Sequence, residues 1–206
     1  MSALGLLLAA VLTAALTTAP SGDLVTQIRS APSHSWIGFQ LPNTENSQCD
    51  CEFGQRGPVT LYFHVVDHQI DRVKPLSAGC RSDLRGDPAQ VIEPVTEAAA
   101  DDALIELARH DPSSSVRRNT LFWLAVEAGR KAGGALREAV DDDPDTRVKT
   151  AAVFGISMLP DDESIPLLID LAKNHPNHDV RRKAVFWLGQ KHDPRATEAL
   201  VEIVRR

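Results

Sequence analysis

The sequence predicts a mainly α fold, an α-solenoid of helical hairpins with a 32-residue period, carrying a small β unit at its N-terminal end. Three observations lead there. Val116-Arg-Arg-Asn-Thr-Leu-Phe-Trp-Leu124 aligns without gaps with Val148-Lys-Thr-Ala-Ala-Val-Phe-Gly-Ile156 and Val180-Arg-Arg-Lys-Ala-Val-Phe-Trp-Leu188, a constant step of 32 residues. Each of these runs follows a proline, Pro112, Pro144 or Pro176, that interrupts an amphipathic stretch. Segments rich in aromatic and β-branched residues fall ahead of Glu93 and read as strands. The chain divides accordingly into a signal peptide at 1–21, a β-rich unit at 22–93 and the repeat solenoid at 94–206.

The first of these, Ala3 to Leu16, is almost wholly apolar and is followed by Thr17-Thr18-Ala19-Pro20-Ser21-Gly22. A bilayer span needs about 20 apolar residues, so the run has the length of a secretory h-region rather than of a membrane helix. Cleavage is expected between Ala15 and Gly22, and the mature chain is expected outside the cytoplasm, periplasmic or extracellular. Membrane contact is expected only through this segment, should it stay uncleaved. The run lacks the Lys or Arg that commonly precedes an h-region.

In the second unit, Trp36-Ile-Gly-Phe-Gln-Leu41 and Val59 to Val66 read as strands, Asp67-His68-Gln69 as a turn and Ile70 to Val73 as the return arm of a hairpin. A unit of this kind is expected to cover the open end of the solenoid, which would otherwise expose apolar surface. Three cysteines in an exported chain suggest a disulfide, Cys80 bridging Cys51 or Cys49. A metal site of Cys49, Cys51 and Cys80 with His64 or His68 is disfavoured by the spacing.

In the third unit, Ala103-Leu104, Ala135-Leu136, Leu167-Leu168 and Ala199-Leu200 each open an amphipathic run with further apolar residues one turn on. Ser113, Asp145 and Asn177 follow the prolines and suit helix N-caps. Each repeat is thus a helix, a Pro turn and a second helix. Neither helix can bury its apolar face alone, so the repeats must stack.

The composite run Asp-Pro-x-x-x-Val-Arg-Arg-x-Ala-Val-Phe-Trp-Leu resembles HEAT repeats, specifically the short kind grouped with the phycobilisome-lyase HEAT-like repeats. The resemblance covers about half the chain, and it implies a right-handed α-solenoid of HEAT-like helical hairpins that serves as a binding scaffold. In that family an Asp in the turn often pairs with an Arg or Lys six residues on. Asp111 with Arg117 and Asp143 with Lys149 match, whereas His175 with Arg181 departs, so the ladder should weaken there. The layout as a whole resembles secreted bacterial HEAT-repeat proteins.

With 206 residues, 22 basic and 28 acidic, the chain carries a formal charge of −6. The imbalance is spread evenly (6 basic and 9 acidic through Glu93, 16 and 19 after it), which argues against a nucleic-acid partner or an anionic membrane surface. Aromatics make up only 5%, so their placement is informative. Phe122, Phe154 and Phe186 share one repeat position, six residues after the repeat Val and about 100° past the buried stripe on the helical wheel. Arg118, Thr150 and Arg182 lie one turn earlier on the same side. Aromatic and Arg side chains together have the composition of a protein-binding hot spot. The plainer alternative is that each Phe packs between neighbouring second helices. Trp123 and Trp187 read as packing residues, and Gly155 between them as a possible gap.

His175-Pro-Asn-His178-Asp179, Asp141-Asp142-Asp143 and Asp161-Asp162-Glu163 read as solvated turns and helix ends. Arg85-Gly86-Asp87 is too short to carry weight. The chain has no His-Glu-x-x-His, Gly-x-Ser-x-Gly, Walker or Gly-x-Gly-x-x-Gly motif, and no His-Glu dipeptide of the kind the HEAT-like di-iron hydroxylases carry. The expected function is therefore an exported, non-catalytic scaffold that binds a protein partner through Phe122, Phe154, Phe186, Arg118 and Arg182, with no cofactor and no metal. The alternative is a lyase-like or redox-active enzyme that uses the cysteine-bearing N-terminal unit.

Overall fold

The computed structural model describes residues 24–42, 58–77, 84 and 86–205. The apolar N-terminal run and all three cysteines lie outside the described residues, and so do the signal and disulfide expectations that rest on them. Among the described residues no helix is long and apolar enough to cross a membrane.

A short helix α1 (Leu24–Arg29) precedes a four-stranded sheet of β1 (Ser35–Gln40), β2 (Val59–Val66), β3 (Gln69–Ser77) and β4 (Ala89–Ile92), ordered β3-β2-β1-β4. β2 runs antiparallel to both β1 and β3, and β4 pairs parallel with β1. Period-two alternation sorts the side chains. Ile37, Phe39, Val59, Leu61, Phe63 and Val65 enter the main core with Leu24 and Ile28. Trp36, Tyr62, Leu76 and Leu84 form a smaller cluster on the other face. Gly38 is required there: a Cβ would sit 2.6 Å from the Leu61 carbonyl and 2.9 Å from the Tyr62 ring.

The expected hairpin forms, with Asp67 and His68 both at positive φ (49° and 62°), as a two-residue turn between twisted strands requires. Bonds to the end of α1 and to the segment between α1 and β1 support a turn without Gly: the Asp67 amide donates to Ser33 Oγ at 3.0 Å, and the His68 ring meets the Arg29 carbonyl at 2.9 Å. The return arm is longer than the expected Ile70 to Val73, with a register shift at His64/Val65. α1 and β4 were not anticipated, because elements of six and four residues are too short to display a period.

The helical half comprises first helices α2 (Glu97–His110), α4 (Gly133–Asp142), α6 (Asp161–Asn174) and α8 (Pro194–Val204), and second helices α3 (Ser114–Ala128), α5 (Thr146–Met158) and α7 (His178–Gly189). A 3-10 turn at Gly129–Ala132 leads into α4. The buried stripes fall where the wheel puts them, at Thr120, Leu121 and Leu124, at Ala152, Val153 and Ile156, and at Ala184 and Leu188. Asp145 and Asn177 cap their helices by accepting backbone N–H bonds. Ser113 does not: its own amide is taken by Asp111 Oδ1 at 2.9 Å.

One apolar core runs from α1 and the sheet through to Ala196 in α8. α1 lies against α2 and β3 against α3, on the side of the first hairpin where no repeat precedes it. The gap expected at Gly155 is absent. A Cβ on Gly155 would lie 2.5 Å from Leu136 Cδ2, so the small residue admits a side chain of α4 rather than leaving space between the tryptophans.

Candidate functional site

Two rows of side chains follow the repeat, one along the interhelix turns and one along the second helices. On the turn edge Arg117 is buried, and its guanidinium grips Asp143 of the next repeat through Nε–Oδ2 at 2.7 Å and Nη2–Oδ1 at 3.0 Å. Its Nη1 donates to the Asp111 carbonyl at 2.8 Å. The bidentate bond to Asp143 holds the Arg117 cation above its ordinary pKa. The side-chain pairing expected between Asp111 and Arg117 is therefore not the one that forms: within a repeat Arg117 reaches main chain, and its carboxylate partner lies one repeat on. Asp111 is met instead by Arg29 of α1, at 3.2 Å. Burial raises the Asp111 pKa, outweighing the Ser113 amide and the Arg29 cation that lower it.

The row changes character at the third turn. Lys149 donates to the Val140 and Asp141 carbonyls, and Arg181 donates to the His175 and Pro176 carbonyls at 2.7 and 2.8 Å. His175 brings no carboxylate, so among the described residues no bidentate pair of the Arg117–Asp143 kind forms there; its Nε2 lies 3.8 Å from Asp141 Oδ1 instead.

On the second helices the sequence-derived site residues come together, but not as three equivalent exposed rings. Phe122 of α3 stacks on Phe154 of α5 with centroids 5.9 Å apart and planes inclined by 18°. Phe154 then stacks on Trp187 of α7, at 4.8 Å and 25°, and not on Phe186. Phe186 meets the edge of Trp187 at 4.9 Å and 81°, and is left 52% exposed at the end of the row. Phe122 and Phe154 are half-buried, so packing between neighbouring second helices describes these two, while Phe186 projects. Trp187 contributes to this face rather than only to packing. Its Nε1 is buried with no hydrogen-bond partner among the described residues.

Two shallow depressions flank the rings. One of about 440 Å³ is lined by Arg118, Arg147, Phe154, Lys183 and Trp187, among others. The other, about 400 Å³, is lined by Thr150, Asp179, Arg182, Lys183 and Phe186. Both include Thr150 and Lys183, so they adjoin. Arg182 pairs with Asp179 at 2.8 Å, and Arg147 with Asp145 at 2.9 Å. The Arg147 guanidinium holds Asp145 below the usual carboxylate range. Lys183 sits over the Phe186 and Trp187 rings, its Nζ 5.4 and 5.5 Å from the centroids. Lys183 and Arg147 were missed in the sequence. Lys183 stands three residues before Phe186 and was accessible to the same wheel argument, but its repeat equivalents, Asn119 and Ala151, hide it from a search for recurrence.

The remaining candidates are otherwise engaged. His64 is buried with Nδ1 2.6 Å from Asp71 and Nε2 2.9 Å from Asp87, so neither ring nitrogen is turned toward an ion. His175 Nδ1 receives the Asn177 amide at 3.1 Å. Asp161 pairs with Lys191, and Asp162 and Glu163 with Arg130. Among the described residues no group of His, Cys, Asp and Glu is arranged to hold a metal ion.

Two family models match the helical half, that of HEAT repeats over residues 101–176 and that of the PBS lyase HEAT-like repeat over residues 180–205. No curated protein matches the chain.

Proposed function

We propose that this chain, a HEAT-repeat protein over residues 101–176 and 180–205, is an exported, non-catalytic scaffold that holds a protein partner on the face formed by α3, α5 and α7. Repeats of this class commonly mediate protein–protein interaction, and their stacking builds one continuous surface from short units. The observation that carries the reading is the row Phe122, Phe154, Trp187 and Phe186, which crosses three helices between basic side chains. Rigid aromatic rings give large contact area at little cost in side-chain entropy, and Arg beside them adds directional hydrogen bonds. The apolar run from Ala3 to Leu16 supports export, and the absence of catalytic motifs in the sequence supports a binding role.

A photo-crosslinking residue placed at Phe186 of the full chain, expressed in its native host, tests the assignment. A discrete protein adduct is expected from position 186 and none from Glu198, an exposed position on α8. Absence of an adduct at 186, or the same adducts from both positions, would overturn it.

A further inference from the structure

The second-helix face holds cations with no counter-ion. Most other Arg and Lys side chains among the described residues are met by carboxylates, as Arg130 is by Asp162 and Lys173 by Glu202, or by main-chain carbonyls, as Arg181 is. Among the described residues Arg118 and Lys183 have neither, as is also true of Arg205 near the C-terminus. Both line the same depression, beside the Phe154 and Trp187 rings. In a chain with six more acidic than basic residues, two unneutralised cations in one depression are not a by-product of composition. Their neighbours Arg147 and Arg182 are held only by exposed ion pairs, which are worth about 0–1 kcal/mol and exchange readily for an incoming carboxylate.

Resting on the binding face proposed above, we infer that its occupant is an acidic segment of the partner protein, in which Asp or Glu residues flank an aromatic or aliphatic side chain. The carboxylates answer Arg118 and Lys183, and the apolar side chain lies against Phe186 and the exposed edge of the ring row. A nucleic acid would also offer anions and stacking bases, but its long run of phosphates would face a chain that is negative in both halves. A short segment with two or three carboxylates presents its charge locally.

Selection of displayed random peptides of about 12 residues against the full chain tests this, since linear segments bind such grooves through a few anchors. The enriched peptides are expected to carry two or more carboxylates around an aromatic or aliphatic residue. For one such synthetic peptide, the double substitution Arg118→Glu with Lys183→Glu is expected to weaken binding roughly tenfold or more, while Arg205→Glu changes it less than about twofold. Neither Arg118 nor Lys183 takes part in an ion pair among the described residues, and an unchanged circular dichroism spectrum would show that the double variant folds. The inference falls if no peptide enriches, if neutral or basic peptides enrich, or if the double variant binds as well as the Arg205→Glu variant. It also falls if a thymidine oligonucleotide binds more tightly than the peptide and loses binding in the double variant. If the crosslink at position 186 survives any of these failures, the scaffold reading stands without an acidic partner; loss of the crosslink as well removes both.

Discussion

Arg117 and Arg118 are neighbours in the sequence, and their fates separate the two long edges of the solenoid. Arg117 points to the turn edge, where it is buried and bonded to two main-chain carbonyls and to both oxygens of Asp143. Arg118, rotated about 100° around the helix axis, stands exposed on the second-helix face with no partner among the described residues. The same 32-residue step generates both rows. On the turn edge Arg117 reaches Asp143 of the next repeat while Lys149 and Arg181 reach main-chain carbonyls, and the charge is consumed inside the fold. On the face the step brings ring to ring, and the flanking cations are left over. Charge that the fold consumes is architecture; charge that it leaves unmet, beside exposed rings, is available to something else.

Substitutions that act on one edge and spare the other test the contrast. The largest effect is expected for Arg117→Ala, which leaves Asp143 buried without its cation. Breaking one side of a buried pair costs about 3–5 kcal/mol, and should appear as a lower midpoint in chemical denaturation with an unchanged slope. A smaller loss, about 1–3 kcal/mol, is expected for Arg29→Ala, which strips the buried Asp111 of the one side-chain ion pair it has among the described residues.

That second deficit should also depend on pH. Asp111 is the case of a carboxyl whose pKa is raised in the folded chain, so the native state holds its proton at higher pH than the unfolded chain does, and ionisation at neutral pH costs the native state. Lowering the pH through the raised pKa toward the ordinary 3.8 should therefore narrow the gap between Arg29→Ala and the parent, as denaturation at a series of pH values would show. Asp162 and Asp193 are opposite in sign. Their Arg130 and Arg195 partners lower their pKa values, so their contribution is present above 3.8 and is lost as the pH falls below it. A gap that widens in acid would contradict the assignment to Asp111.

The smallest effect is expected from the combined Arg118→Glu and Lys183→Glu change. It should move the melting temperature by only a few degrees, because no ion pair among the described residues is broken and only the contact of Lys183 with the Phe186 and Trp187 rings is lost. A drop as large as that of Arg117→Ala would mean that the face is as structural as the turn edge.

The helical half was legible from spacing because its signals are local. A proline ends a helix wherever it stands, and an apolar stripe every three or four residues selects the buried side of any helix. The hairpin at Asp67 and His68 was legible for the same reason. The short α1 was not, although it supplies Arg29 to Asp111, one step before Arg117 does the same for Asp143. Nothing in six residues announces that they will stand where a preceding repeat would.

The sequence by itself determined the period, the positions of the breaks and the side each residue occupies, since these follow from backbone geometry within one helix. Tertiary structure alone decided the partners. It decided that Arg117 crosses to the next repeat, that Leu136 fills the space above Gly155, and that Trp187 rather than Phe186 completes the ring stack. These depend on the offset and separation at which one repeat docks on the next. That offset is set by the summed shapes of many side chains, and no single motif records it.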